Sequence, residues 1–222
     1  MPECLVLHAE GPGDAGHPGS HIAPGDSLLP EDQGPAHVLV ARTIESLFGV
    51  PPAALDFKEP YRTKDTYHAH GSRLLVAKFL DQVLAGWLLN PLVVVFLVDS
   101  DDKPVADRRK ILRDALERNG LDGAVGVVVK EFESWLIADQ AALTTVLGSG
   151  HESPASVEAL DCRVAKDKLR GWSESQARPG RDAMAIRREL AEAVNLDTLA
   201  ARCPSYVEFR REIEALKHVI KH

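Results

Sequence analysis

Up to residue 140 the chain alternates short apolar runs with longer amphipathic ones; beyond it only amphipathic runs remain. Residues 4–9 (CLVLHA) are apolar and stop at Glu10-Gly11-Pro12-Gly13, which predicts a first strand. Residues 11–35 are rich in Gly and Pro and read as a long loop. A helix is predicted from Pro35 to Phe48, with Val38, Ile44 and Leu47 on one face, and a short strand over Leu55–Lys58. From Ser72 to Leu88, Val76, Phe79, Leu80, Val83, Leu84 and Trp87 recur at three and four, which predicts a second helix. Residues 92–102 (LVVVFLVDSDD) hold seven consecutive apolar positions before an acidic cluster, the mark of a parallel strand buried on both faces. A polar helix at 105–119 ends at Asn119-Gly120, and AVGVVV at 124–129 predicts another strand. Helices are expected at 140–147, 163–171, 182–194 and 205–221.

Strands alternating with helices predict an α/β fold, a Rossmann-like, mostly parallel sheet flanked by helices. The expected organisation is an α/β region over 1–140 and a helical C-terminal extension over 141–222, packed on it.

Composition narrows the class. Among 222 residues, 45% are hydrophobic and 27% charged, ordinary for a soluble globular protein. Cys4, Cys162 and Cys203 form no CxxC pair, which argues against a disulfide scaffold or a cysteine zinc site. No apolar run is long enough for a membrane helix and no leader pattern opens the chain, so the expected setting is cytoplasmic, with no membrane partner. The net charge is −7, divided as −10 over residues 1–160 and +3 over 161–222. A whole-protein basic field for nucleic acid is therefore absent, although the C-terminal part can still meet phosphates.

The candidate chemistry lies in acids that follow strands. Ligands of an open parallel sheet gather beyond the carboxyl ends of its strands. The first strand leads to Glu10 and Asp14, the valine-rich strand to Asp99, Asp101 and Asp102, and the last to Glu131 and Glu133. Extended alternation would put Asp99 and Asp101 on one side. Singly, such acids are turn formers or helix caps, as Asp102 and Asp107 would be. Jointly they repel unless a hard cation sits among them, and oxygen-only ligands indicate Mg2+ or Mn2+. Two such ions about 3.5–4 Å apart can hold the attacking and leaving oxygens of a phosphoryl transfer.

The order EGxxD, LVDSD and ExESWLxAD over residues 4–140 resembles Toprim-type domains, and in particular the family catalogued as domain of unknown function 4276, relatives of the overcoming-lysogenization-defect and RloB-like nucleases. The resemblance implies a Toprim-like fold in which Glu10 and Asp14 match the first motif and Asp99 and Asp101 the DxD. The last metal ligand would be Glu131 or Glu133. It further implies a metal-dependent nuclease on DNA or RNA, with a role in defence against mobile DNA. The alternative is a non-catalytic module that partners an ATPase or other effector. A phosphotransfer enzyme with Asp99 as nucleophile ranks lower, because the haloacid-type pattern puts DxD after the first strand.

Helper groups can be named too. Lys103, Arg108, Arg109 and Lys110 follow the acidic cluster, the last two reading as a solvated face. Lys166 and Lys168 lie in RVAKDKLRGW, where the resemblance implies a lysine for phosphate contact or leaving-group assistance; Lys168 is the candidate catalytic lysine. His17 or His21 could act as general base, whereas the His68–His70 pair lacks a third zinc ligand at suitable spacing. The amphipathic stripe of Tyr206, Phe209, Ile213, Leu216 and Ile220 offers a face for core packing or for a homodimer.

Overall fold

The structure, a computed structural model, describes residues 3–9, 22–61, 75–87, 92–176 and 181–220. Four strands, β1 (Glu3–Ala9), β2 (Leu55–Lys58), β3 (Leu92–Asp99) and β4 (Asp122–Val128), form one parallel sheet in the order β2-β1-β3-β4. The nine described α-helices are α1 (Pro35–Phe48), α2 (Ala77–Leu84), α3 (Val105–Asn119), the single turn α4 (Glu133–Leu136), α5 (Gln140–Leu147), α6 (Val164–Gln176), α7 (Ala183–Ala193), α8 (Leu196–Arg202) and α9 (Pro204–Glu214). The α/β class with a parallel sheet between helices is as the pattern predicts, and consistent with a Rossmann-like fold.

Both faces of β3 are buried, which is why the strand reads as an unbroken apolar run. Val93, Val95 and Leu97 join a cluster with Leu5, Leu7, α1 and all the helices from α4 to α9. Val94, Phe96 and Val98 join a second, smaller cluster with α2 and α3. The first cluster unites the sheet with residues as far along as Ile220. The C-terminal helices thus form one wall of the core. The stripe of Tyr206, Phe209, Ile213, Leu216 and Ile220 is spent on this wall.

Gly120, at φ 62°, closes α3 in the left-handed conformation that glycine adopts without a Cβ penalty. Gly126 has a different reason: a Cβ there would lie 2.7 Å from both Leu97 Cδ1 and Phe209 Cδ2, so α9 packs on β4 only because the position is bare.

Several predicted boundaries shift. The expected helix over 205–221 is α9 followed by a 3-10 turn at Ala215–His218. Helix α8, absent from the pattern, begins where the Asn195 side chain accepts hydrogen bonds from Asp197 and Thr198 N–H. The expected helix over 72–88 is described only from residue 75, with α2 inside it. Within the 11–35 loop, the described part, 22–35, carries a 3-10 turn at Pro30–Asp32 and a bridge from Ser27 to Lys58. Among the described residues no helix is long and apolar enough to cross a membrane.

Candidate metal and phosphate site at the carboxyl edge of the sheet

Helix α1 follows β1 on one face and α3 follows β3 on the other, so the connections diverge at the carboxyl ends of β1 and β3. Ala9 pairs with Leu97, and Asp99 pairs with Val128, which brings three strand ends to one edge. This is the position where open α/β sheets form a ligand crevice.

Asp99 is the last residue of β3 and is buried. Its Oδ1 accepts a hydrogen bond from Phe132 N–H at 2.7 Å, tying it to the chain just after β4. The two loops are then laced together. Ser100 N–H donates to Val128 O at 2.8 Å, Lys130 N–H to Ser100 Oγ at 2.7 Å, and Asp101 N–H to Lys130 O at 3.0 Å. Asp101 (φ 48°), Lys130 (φ 64°) and Arg163 (φ 73°) are the non-glycine residues with positive φ among those described. The first two face one another across the lacing, and the third precedes α6, whose first turn reaches Glu131. Uncommon backbone conformations gathered at one edge are characteristic of functional loops.

The expectation that strand alternation aligns Asp99 with Asp101 fails. The strand ends at Asp99, and Asp101 turns in the left-handed region. Its carboxylate accepts from Arg108 Nη2 at 2.8 Å; the Arg108 side chain is 7% exposed and that of Asp101 47%. Asp102 does not cap α3, which starts after Pro104 with no side-chain cap, and Asp107 lies inside the first helical turn. Asp102 instead pairs with Lys130 Nζ at 2.7 Å, which holds its carboxyl below the usual range.

Glu131 and Glu133 take different roles. Glu131 is buried, and its Oε2 accepts from Lys166 N–H, in the first turn of α6, at 3.2 Å. Burial pushes its carboxyl above the ordinary value; the Lys166 N–H opposes this and the charge of Glu133 adds to it. Glu133 has no exposed surface. Its Oε1 accepts from Arg187 Nη2 at 2.8 Å and lies 3.9 Å from Lys166 Nζ, and its Oε2 meets no hydrogen-bond donor among the described residues. Wholly enclosed and balanced by Arg187, Glu133 is a poor cation ligand; Glu131 is the better one.

Of the two lysines of α6, Lys166 reaches the acids, while Lys168 Nζ lies over the Trp172 ring, 5.8 Å from its centre. The Cys162 thiol also borders the cluster; burial raises its pKa, and Glu131, Asp102 and Asp101 raise it further. Glu10, Asp14, His17, His21, His68 and His70 lie outside the described residues. Among the described residues, no group of three or more His, Cys, Asp and Glu converges closely enough to hold a metal ion by itself.

Arg187 is the participant that sequence reasoning passed over. It sits 54 positions from Glu133 in an ordinary amphipathic helix, and nothing local marks it. Scans against family models, curated proteins and solved structures found no match to this chain.

Proposed function

We propose that the chain is a Toprim-like, Mg2+- or Mn2+-dependent hydrolase of phosphodiester bonds in nucleic acid, acting in defence against mobile DNA. The observation that carries this reading is the hydrogen bond from Phe132 N–H to Asp99, which ties the buried acid at the end of β3 to the segment of buried Glu131 at the carboxyl edge of a parallel sheet. Glu131 in particular is held where its charged form is disfavoured, and a hard cation would relieve that cost.

Asp99 and Glu131 would hold the cation, joined by Asp101 and, on the family resemblance, by Glu10 and Asp14. A divalent ion, when held by these acids, would supply positive charge against a phosphate and make water near it more acidic. Phe132 N–H fixes one oxygen of Asp99, and so its rotamer. The first turn of α6 holds Glu131. Lys166, half-exposed and 3.9 Å from Glu133, would lend its positive charge to a phosphate oxygen. Arg187 keeps Glu133 in place beneath them.

The test is nicking of plasmid DNA and cleavage of RNA with Mg2+ or Mn2+, using Asp99→Asn, Asp101→Asn and Glu131→Gln. Loss of at least a hundredfold in the Asp99 variant is expected, in line with removal of a group that stabilises transition-state charge. Unchanged activity in all three excludes this site.

A second reading is a non-catalytic module that partners an ATPase or other effector. The Asp101–Arg108 and Glu133–Arg187 pairs favour it, since each balances an acid without any cation. Calorimetry with Mn2+ separates the two readings: the module needs no cation site that depends on Asp99 and Glu131.

A further inference from the structure

We propose that the Arg113–Glu212 ion pair stands in for one residue of a fifth parallel strand, and so closes the edge of β4 to extended segments of other molecules. Among the described residues β4 is the last strand on its side of the sheet. A strand in that place presents backbone N–H and C=O groups that pair readily with a strand of another chain. The opposite edge, at β2, is met by the chain itself: Leu28 N–H donates to Phe57 O at 2.7 Å, and Glu59 N–H to Asp26 O at 2.9 Å. At β4 two side chains take that place. Arg113 Nη1 of α3 donates to Gly123 O at 3.2 Å, and Glu212 Oε2 of α9 accepts from Val125 N–H at 3.2 Å. The two side chains are also paired with each other. Because α3 packs on one face of the sheet and α9 on the other, they meet around its edge.

The match to a strand is chemical as well as spatial. In a parallel ladder, one residue of the neighbouring strand donates its N–H to the carbonyl of a residue and accepts from the N–H two positions on. Gly123 O and Val125 N–H are such a set. The guanidinium supplies the missing N–H and the carboxylate supplies the missing oxygen. Both are ionised, so each bond is stronger than the backbone bond it replaces. The Arg113 side chain is 35% exposed and that of Glu212 19%, which leaves the pair partly shielded from water. Further charges line the same edge. One turn earlier in each helix, Arg109 Nη1 lies 3.7 Å from Glu208 Oε2, and at the start of β4 Asp122 Oδ1 lies 3.4 Å from His218 Nε2. An incoming strand must separate a partly buried pair and strand both charges before it gains two ordinary hydrogen bonds. The exchange is unfavourable, and the sheet ends at β4.

The experiment measures amide hydrogen exchange by NMR and particle size by sedimentation velocity, in the full chain. The wild type is compared with Glu212→Ala, Glu212→Gln and the charge swap Arg113→Glu with Glu212→Arg. In Glu212→Ala the Val125 amide should exchange about tenfold faster, as expected for the loss of one hydrogen bond to a charged group, while the β3 amides keep their protection. Glu212→Gln keeps an oxygen for that amide and should keep most of its protection. The swap preserves an ion pair between α3 and α9 but sets a guanidinium against Val125 N–H and a carboxylate against Gly123 O. It should therefore lose protection as fully as Glu212→Ala does. Glu212→Ala and the swap should both form larger species than the wild type as concentration rises, because the bared edge accepts a strand. Protection retained in the swap means that the pair only ties two helices together, and overturns the proposal. So does unchanged Val125 exchange in Glu212→Ala. Faster exchange with a size distribution like that of the wild type overturns the guarding of the edge. Where the swap folds poorly, the two Glu212 variants carry the comparison: equal acceleration in both overturns the stand-in.

Discussion

Arg187 of α7 donates to Glu133 of α4 at 2.8 Å, and the carboxylate it holds has no exposed surface. A buried pair of this kind is costly to break from one side. Arg187→Ala should destabilise the fold by about 3–5 kcal/mol, because it strands a desolvated charge. Replacing both partners, Glu133→Met with Arg187→Met, should recover most of that loss. Urea denaturation midpoints of the two variants measure the difference; equal loss in both would mean that the ion pair is not what holds α7 to the site.

Glu131 imposes an opposite kind of load. Its folded carboxyl titrates above the ordinary value of 4.5 because it is buried. An acid with a raised pKa retains its proton longer in the folded state, so its favourable contribution is complete below the unfolded pKa and disappears as pH rises through the folded one. Metal-free Glu131→Gln should therefore match the wild type below about pH 4.5 and exceed it in stability near neutrality. Thermal melts across this range check the sign, and added Mn2+ should narrow the gap by stabilising the wild type alone.

Asp139 joins two helices with one carboxylate. Oδ1 accepts from Ala141 N–H and caps α5, and Oδ2 accepts from Asn195 N–H, both at 2.8 Å. Asp139→Ala should cost about 2 kcal/mol, and Asp139→Asn, which keeps a single acceptor, about half as much. Chemical denaturation of the two variants gives the comparison.

Gly126→Ala should cost about 1–3 kcal/mol, since the new methyl meets Leu97 and Phe209 at 2.7 Å and neither can withdraw from a packed core. Shortening the opposing side chain, Phe209→Leu, in the same molecule should return part of the loss, a coupling that a double-mutant cycle reads directly.

Local pattern carried most of the fold. A valine-rich run bounded by Asn90-Pro91 and acids can hardly be other than a buried strand, and α1 and α5 occupy the predicted residues because Pro35 and Asp139 mark their starts. The α8 start is capped by the Asn195 side chain in the structure, but a helix of seven residues shows too few turns for its period to register in the sequence. The site was legible only as a list of acids. Which of them are paired depends on side chains distant in sequence: Arg187 selects Glu133 from beyond the last strand, and the first turn of α6 selects Glu131. Asp101 was misplaced for a backbone reason, as period-two alternation stops where the strand does and a positive φ redirects the carboxylate.

The wall that α9 forms against β4 sets the order in which the molecule can mature. Phe209 and Tyr206 can cover the sheet only once α9 has been synthesised, well after β4, and until then the apolar side of β4 stands open to chaperones and proteases. A product broken off near residue 140 lacks Lys166 and Arg187 as well as that cover. Quality control and assembly of the acidic edge are in this way enforced by the same late helices.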